Sequence, residues 1–440
     1  MPTRLPPNPP SNSLYLRSTT NNRRLTPQEL RQRRSAWSFA KTFVPLAAVA
    51  YAVTSLGAFT ERIAPYFSAG WSLPPSDFCG GSGGRYDLSR SVAVVTGGNS
   101  GVGYETARAL ALLGAGTVVL GCRSGEKCRA AKMLIDAERL SLCGVPFEAS
   151  NVHVPELPLD LESLPSVSEW AASLPYGHVT HLALNAGVMS TPLHPRNPGT
   201  GAEPQLHTNH LAHYHLTASL LPLLKAAAGE TGEPARVLSV SSLSAQLPFS
   251  FSIDDLDFAD RRHDSLTAYA QSKRANLLFA QSLHDRLHET TGIASLAAHP
   301  GYSRTNLAVN GWSFVPESLS FLKEWMNKNP VLSMSAEEGA RPSLRALLDL
   351  PGAPSGSYVT PVLYAVGVPV VSVGGRAVKW PGYGKEGGRS WPFREGLGSW
   401  VGGGMAFGER EVEGLWRWSE ERSGLRIEGG EEGANEANEI

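Results

Sequence analysis

Ser91 to Thr96, SVAVVT, runs without interruption into Gly97-Gly98-Asn99-Ser100-Gly101-Val102-Gly103 and then into YETARALALLG. No other stretch restricts the fold so tightly. A short, apolar, β-branched run has the composition of a buried parallel strand. The YETARALALLG segment has helical spacing. Strand, glycine-rich turn and helix in that order aim backbone N–H groups and a helix N-terminus at a pyrophosphate. Glycine is required where the backbone turns sharply and lies close to a ligand. Gly97, Asn99, Ser100, Gly101, Val102 and Gly103 are therefore expected to contact a dinucleotide.

The alternation continues. Thr117 to Gly121 is a second strand, followed by Cys122-Arg123. An acid at this place takes ribose hydroxyls, whereas an arginine suits a 2′-phosphate, so Arg123 points to NADP(H) ahead of NAD(H). A helix over Gly125 to about Leu140 precedes a third strand ending near Leu159-Asp160-Leu161. Asp160 is open between facing the adenine and capping the helix at 163–174. His181 to Leu184 is a fourth strand closing in Asn185-Ala186-Gly187, where small residues let the backbone lie against a cofactor. Glu203 to Leu224 reads as a long helix, Arg236 to Ser241 as a fifth strand, and Ala294 to His299 as a sixth followed by Pro300-Gly301. Ala336 to Leu350 is helical, Ser357 to Gly367 a last strand, and Glu409 to Arg422 a short helix. Such a pattern predicts an α/β fold: a doubly wound parallel sheet of about seven strands with helices on both faces.

Around this domain, residues 86–427, the chain changes character. Met1 to Lys41 is a basic leader without folding signals, and Glu29 is its only acidic residue. Thr42 to Thr60 is uncharged and near the lower length for a membrane span. It reads as a span or signal anchor, a cleaved targeting segment, or an apolar helix packed on the domain. Arginines before it and only Arg62 close behind would keep the N-terminus cytoplasmic. Residues 61–85 form a linker, 374–408 a Gly/Trp-rich insertion, and 428–440 an acidic, disordered tail. The net charge of -1 over 440 residues gives no pull toward nucleic acid. Cys79, Cys122, Cys128 and Cys143 lack paired metal-ligand spacing and read as free thiols. His207, His210, His213 and His215 cluster without an acidic ligand at the right spacing, so no metal is expected. Asn209, among them, is a buried polar candidate that needs partners.

Tyr269 and Lys273 are four apart in LTAYAQSKRAN. On a helix that spacing stacks them on one face. A neighbouring ammonium favours phenolate, lowering a tyrosine from about 10 toward the range of a general acid or base. The apolar run from Asn310 to Met334 comes after the sixth strand and is placed to cover an apolar substrate.

Taken together, TGGNSGVG at 96–103, NAG at 185–187, Asn209, Ser242, Tyr269-x-x-x-Lys273 and His299-Pro300-Gly301 resemble the short-chain dehydrogenase/reductase superfamily, over roughly Tyr86 to Leu425. GNSGVGYETA, HTNHLAHYHLT, YAQSKRANLLFA and HPGYSRTNL are similar to retinol dehydrogenases and WW-domain oxidoreductases, more distantly to protochlorophyllide reductases. The resemblance implies a Rossmann-type fold and an NADP-dependent hydride transfer involving a lipophilic carbonyl or alcohol. It implies Tyr269 as proton donor or acceptor, Lys273 as its tuner and ribose partner, Ser242 orienting the substrate oxygen, and Asn209 holding a relay water. It also implies Asn185, with Ala186 and Gly187, at the ribose, and Pro300, Gly301 and Thr305 at the carboxamide. A tetrapyrrole reductase and a cofactor-binding protein acting through partners are the alternatives. A homodimer and residence in a membrane, endoplasmic reticulum before mitochondrion or plastid, complete the expectations.

Overall fold

In a computed structural model of the chain, the described residues are 73, 77–79, 86–189, 196–246, 251–303, 334–348, 352–361, 369–373, 376–377 and 408–428. The leader, Thr42–Thr60, Thr305, most of the Asn310–Met334 run and the tail beyond 428 lie outside them. So do most of the linker and of 374–408. Among the described residues no helix is long and apolar enough to cross a membrane.

Seven parallel strands form the frame: β1 (Val92–Thr96), β2 (Thr117–Gly121), β3 (Val152–His153), β4 (His181–Leu184), β5 (Arg236–Val240), β6 (Ala294–Ala298) and β7 (Ser357–Pro361). Their order in the sheet is 3-2-1-4-5-6-7. The direction of winding reverses between β1 and β4, the crevice where open α/β sheets place ligands. The sheet goes further than expected. β8 (Pro369–Val373) pairs antiparallel with β7, and β9 (Arg376–Ala377), inside the stretch read as an insertion, pairs antiparallel with β8.

Period-two alternation sends successive strand residues to opposite faces. Ala93 and Val95 of β1 and Val118 and Leu120 of β2 pack beneath α1 (Gly101–Leu112), α2 (Gly125–Cys143) and, further along, α6 (Ala336–Leu348). Val92, Val94 and Val119 face α3 (Leu164–Ala172), α4 (Ala212–Thr231) and α5 (Ser265–Thr291). The last helix, α7 (Glu409–Ser423), closes this second face, with Trp416 edge-on to Tyr214 and stacked near Phe279.

Two expectations need correction. The third strand does not end at Leu159–Leu161; it is Val152–His153 alone. Pro155 and Pro158 have no N–H to continue the ladder, and Leu159 N–H instead donates to the carbonyl of Cys122, just past β2, at 2.9 Å. Nor are the cysteines free: Cys79 is bonded to Cys143 and Cys122 to Cys128. The first bridge joins positions 64 apart, so spacing carries no trace of it. The second spans six residues, from the end of β2 to the first turn of α2.

Candidate active site

The glycine turn has the shape the sequence requires. Gly97 and Gly101 have φ of +67° and +58°, a region natural to glycine. A Cβ on Gly103 would lie 2.4 Å from the Gly97 carbonyl oxygen and 2.3 Å from Asn185 Nδ2. Ser100 caps α1 without a side-chain hydrogen bond, so the first N–H groups of the helix keep their capacity for an anion. Asn99 lies in the turn and Val102 is buried behind it. This turn, which has no room for a side chain at Gly103 and leaves the first helix N–H groups open, fits a dinucleotide pyrophosphate.

Thr96, the last residue of β1, ties the turn to the neighbouring strand. Its Oγ1 accepts the N–H groups of Asn185 and Ala186, both at 2.9 Å, and Asn185 Nδ2 donates to the Thr96 carbonyl at 2.9 Å. Asn185 thus braces the cofactor turn with its side-chain amide. Gly187 matters for closeness: a Cβ there would meet Asn209 Oδ1 at 3.1 Å and Lys273 Nζ at 3.2 Å.

Tyr269 and Lys273 lie on α5, whose N-terminus is fixed by Asp264 accepting the Thr267 N–H at 2.9 Å. Both are buried. Lys273 Nζ donates to the Val240 carbonyl at 3.1 Å and stands 5.8 Å from the centre of the Tyr269 ring. Ser241 Oγ donates to the Lys273 carbonyl at 2.7 Å, pinning the end of β5 to the helix. Ser242 hydrogen-bonds the Tyr269 phenol, and its Oγ also accepts the Ser244 N–H at 3.2 Å.

Burial dominates the electrostatics. It pushes the Tyr269 phenol up to about 12, with the Ser242 hydrogen bond acting the other way. The direction expected from Lys273 is therefore not realised in the protein alone. The same burial lowers Lys273 to about 8, within reach of proton exchange near neutral pH.

Asn209 sits on a π-helical turn, His207–Leu211, between the short α turn Pro204–Leu206 and α4, where the sequence suggests one uniform helix. π turns are concentrated at functional sites. Its Oδ1 accepts the Val188 N–H at 2.7 Å, and its Nδ2 donates to the Val188 carbonyl and to Ser272 Oγ, both at 2.9 Å. Ser272 in turn donates to the Tyr269 carbonyl at 2.7 Å. The four histidines of this region go to separate partners: His207 to Thr200, His210 to Ser419 of α7, His213 to Thr96, and His215 to Ser168.

Other predicted residues occupy the rim. Arg123 is exposed and forms a 2.6 Å ion pair with Glu162, a partner the sequence does not suggest. Asp160 accepts the Glu162 N–H at 3.0 Å, shaping the loop before α3. Gly301, after Pro300, has φ +66° and donates its N–H to His299 Nδ1 at 2.8 Å. Thr96, Ser241 and Ser272 brace the cluster through these hydrogen bonds, and the sequence does not single out Ser241 or Ser272. Only Thr96 carries a local signal, as the hydroxyl closing the strand before the first glycine.

Turn, crevice and the Asn209–Ser242–Tyr269–Lys273 cluster converge at the ends of β1, β4 and β5. The profile described as short chain dehydrogenase matches residues 91–254. Human retinol dehydrogenase 13 is 38% identical over 246 residues, 54% of this chain and 68% of its own length. The chain belongs to the short-chain dehydrogenase family. As a member of it, the protein is an NAD(P)-dependent oxidoreductase that interconverts CH–OH and C=O groups. The WW domain-containing oxidoreductase of Danio rerio is also 38% identical, over 226 residues, 49% of this chain and 50% of that one. Among solved structures, an uncharacterised Mycobacterium paratuberculosis protein matches with a TM-score of 0.53 and 31% identity, covering 82% of this chain and 99% of that one.

Proposed function

We propose that this short-chain dehydrogenase uses NADP(H) to interconvert a lipophilic carbonyl and its alcohol, of retinoid, steroid or fatty-aldehyde type. The observation that carries the reading is the juxtaposition of Lys273 Nζ and Asn209 Oδ1 at Gly187, beside a Tyr269 phenol hydrogen-bonded to Ser242. A nicotinamide bound in the crevice supplies or accepts the hydride. Ser242 and Tyr269 hold the substrate oxygen. Tyr269 gives it a proton during reduction and removes one during oxidation. Lys273, 5.8 Å from the ring centre, stabilises the phenolate that reduction leaves and holds the nicotinamide ribose. Asn209 holds a water that returns the proton toward Lys273.

Arg123 supports the choice of NADP(H), since its planar fork matches a 2′-phosphate. Glu162 works against it. The pair is exposed on both sides, so a phosphate displaces Glu162 at little loss. The lipophilic substrate class rests on the kinship with retinol dehydrogenases and on the apolar run from Asn310 to Met334. Thr42–Thr60 would anchor the protein in a membrane, the endoplasmic reticulum ahead of mitochondrion or plastid.

Full-length protein incubated with NADPH and a panel of retinal, a ketosteroid and a long-chain aldehyde tests the reading. NADPH oxidation with at least one of them is expected. Turnover only with illuminated protochlorophyllide would replace this reading with the tetrapyrrole one, and NADPH binding without turnover would favour a non-catalytic partner protein. Resistance to alkaline carbonate extraction is the expected result for the anchor.

A further inference from the structure

His213 has no role in the chemistry above, yet it touches both halves of the site. Its Nδ1 lies 3.0 Å from the Asn209 main-chain oxygen, and its Nε2 lies 3.0 Å from Thr96 Oγ1. The ring is buried. A carbonyl oxygen has no proton, so Nδ1 carries the hydrogen and donates it. Thr96 Oγ1 already accepts the N–H groups of Asn185 and Ala186. A hydroxyl has two acceptor lone pairs, which leaves Thr96 only its proton to give. His213 Nε2 at 3.0 Å is nearer than the alternative acceptor, the Ala183 carbonyl at 3.3 Å. The circuit therefore runs in one sense: Asn185 and Ala186 N–H to Thr96, Thr96 O–H to Nε2, Nδ1–H to Asn209.

We propose that His213 is a positioning residue that fixes the cofactor turn and the Asn209 π turn in a single register, as a neutral ring protonated on Nδ1. The inference rests on the reading of Asn209, Ser242, Tyr269 and Lys273 as the reacting cluster. An imidazolium would aim a second N–H at an oxygen whose lone pairs are both taken. Burial keeps the ring neutral, lowering its pKa to about 4; the bond to Asn209 opposes this and the Lys273 charge adds to it. The two ring nitrogens serve different halves. The Nδ1 bond holds the Asn209 backbone, whose side chain shares the Gly187 gap with Lys273. The Nε2 bond orients the hydroxyl that shapes the Asn185–Ala186 turn.

Three substitutions in the full-length chain separate those roles. Asn at 213 keeps a donor near the place of Nδ1, Gln an acceptor near that of Nε2, and Phe neither. His213→Asn should retain turnover of retinal with NADPH to within about threefold while weakening NADPH binding roughly tenfold, the size of one lost buried hydrogen bond. His213→Gln should do the reverse, keeping NADPH affinity and losing turnover. His213→Phe should lose both. Nitrogen-15 histidine spectra, with the His213 signal assigned from its loss in the Asn variant, should show a neutral Nδ1–H ring. A ring protonated on Nε2 or on both nitrogens would overturn the proposal. So would variants whose binding and turnover fall together in proportion to their melting temperatures, which is what packing alone would do. If the native protein binds no NADPH, the functional reading falls instead, and the tautomer still decides whether the circuit exists.

Discussion

The glycine turn follows β1, the π turn leads into α4, and the two are built in opposite ways. The turn from Gly97 to Gly103 is local. Its shape comes from three glycines, two with positive φ and one with no room for a Cβ, within seven residues of sequence. The Asn209 turn is the product of distant parts. Val188, Ser272, Thr200 through His207, Thr96 through His213, and Ser419 of α7 through His210 hold it from five other segments. On the proposed reading, cofactor binding is invested in backbone, and proton handling in side chains brought together by the fold. The two halves should respond to mutation separately, except where His213 and Gly187 join them.

The sharpest break in that comparison is Gly103→Ala. Its Cβ would clash with the Gly97 carbonyl, and overpacking of this kind costs on the order of 1–3 kcal/mol. NADPH affinity, read by fluorescence titration, should fall about 10- to 100-fold, while turnover at saturating NADPH changes little. A smaller effect should come from Arg123→Asp. On the proposed NADP(H) reading, NADPH binding weakens by roughly tenfold, the loss of a charge-assisted contact, and NADH binding hardly changes. Equal losses for both cofactors would remove Arg123 from 2′-phosphate recognition and turn attention to Glu162 as a ribose ligand.

Acid should act on the side-chain half first. His207, His210 and His213 are all lowered by burial, to about 4, 3 and 4. Their folded values lie below the unfolded value of about 6.5, so the unfolded chain binds more protons between the two. The stability they contribute is complete above about pH 6.5 and is lost as pH falls toward 4. Melting temperature should decline over that window, and replacing His210 with Phe should flatten the decline. The smallest expected change is a two- to threefold tightening of NADPH by Glu162→Gln, in keeping with an exposed ion pair.

The same contrast explains what can be read from the chain. β1, the glycine turn and the Tyr269–Lys273 spacing obey local rules, and the structure has them where periodicity and glycine placement put them. The third strand is misread from sequence because an apolar run suggests pairing that Pro155 and Pro158 forbid. Neither disulfide is legible: Cys79 is held beside the end of α1, where its N–H donates to the Leu112 carbonyl at 2.6 Å, and Cys143 lies 64 positions away in sequence. The edge strands β8 and β9 depend on their partners, β7 for β8 and β8 for β9, rather than on their own pattern. In the site, Asn209 is legible as a buried amide in search of partners. The π turn beneath it, and the Arg123–Glu162 pair across 39 positions, arise from tertiary contacts that no window of sequence contains. The Tyr269 phenol is the instructive case, because helical spacing gives its neighbour Lys273 and burial gives its pKa the opposite sign.

That phenol offers the most direct test of the central claim, that binding and proton transfer are separable properties of two differently built regions. Tyr269→Phe removes one oxygen from the side-chain half and leaves the glycine turn untouched. NADPH affinity should stay within about threefold of the native value, while turnover of retinal falls by at least the roughly 10²-fold expected when a general acid is lost. A Phe variant that turns over at near-native rate, or one that loses NADPH binding in step with activity, would contradict the account.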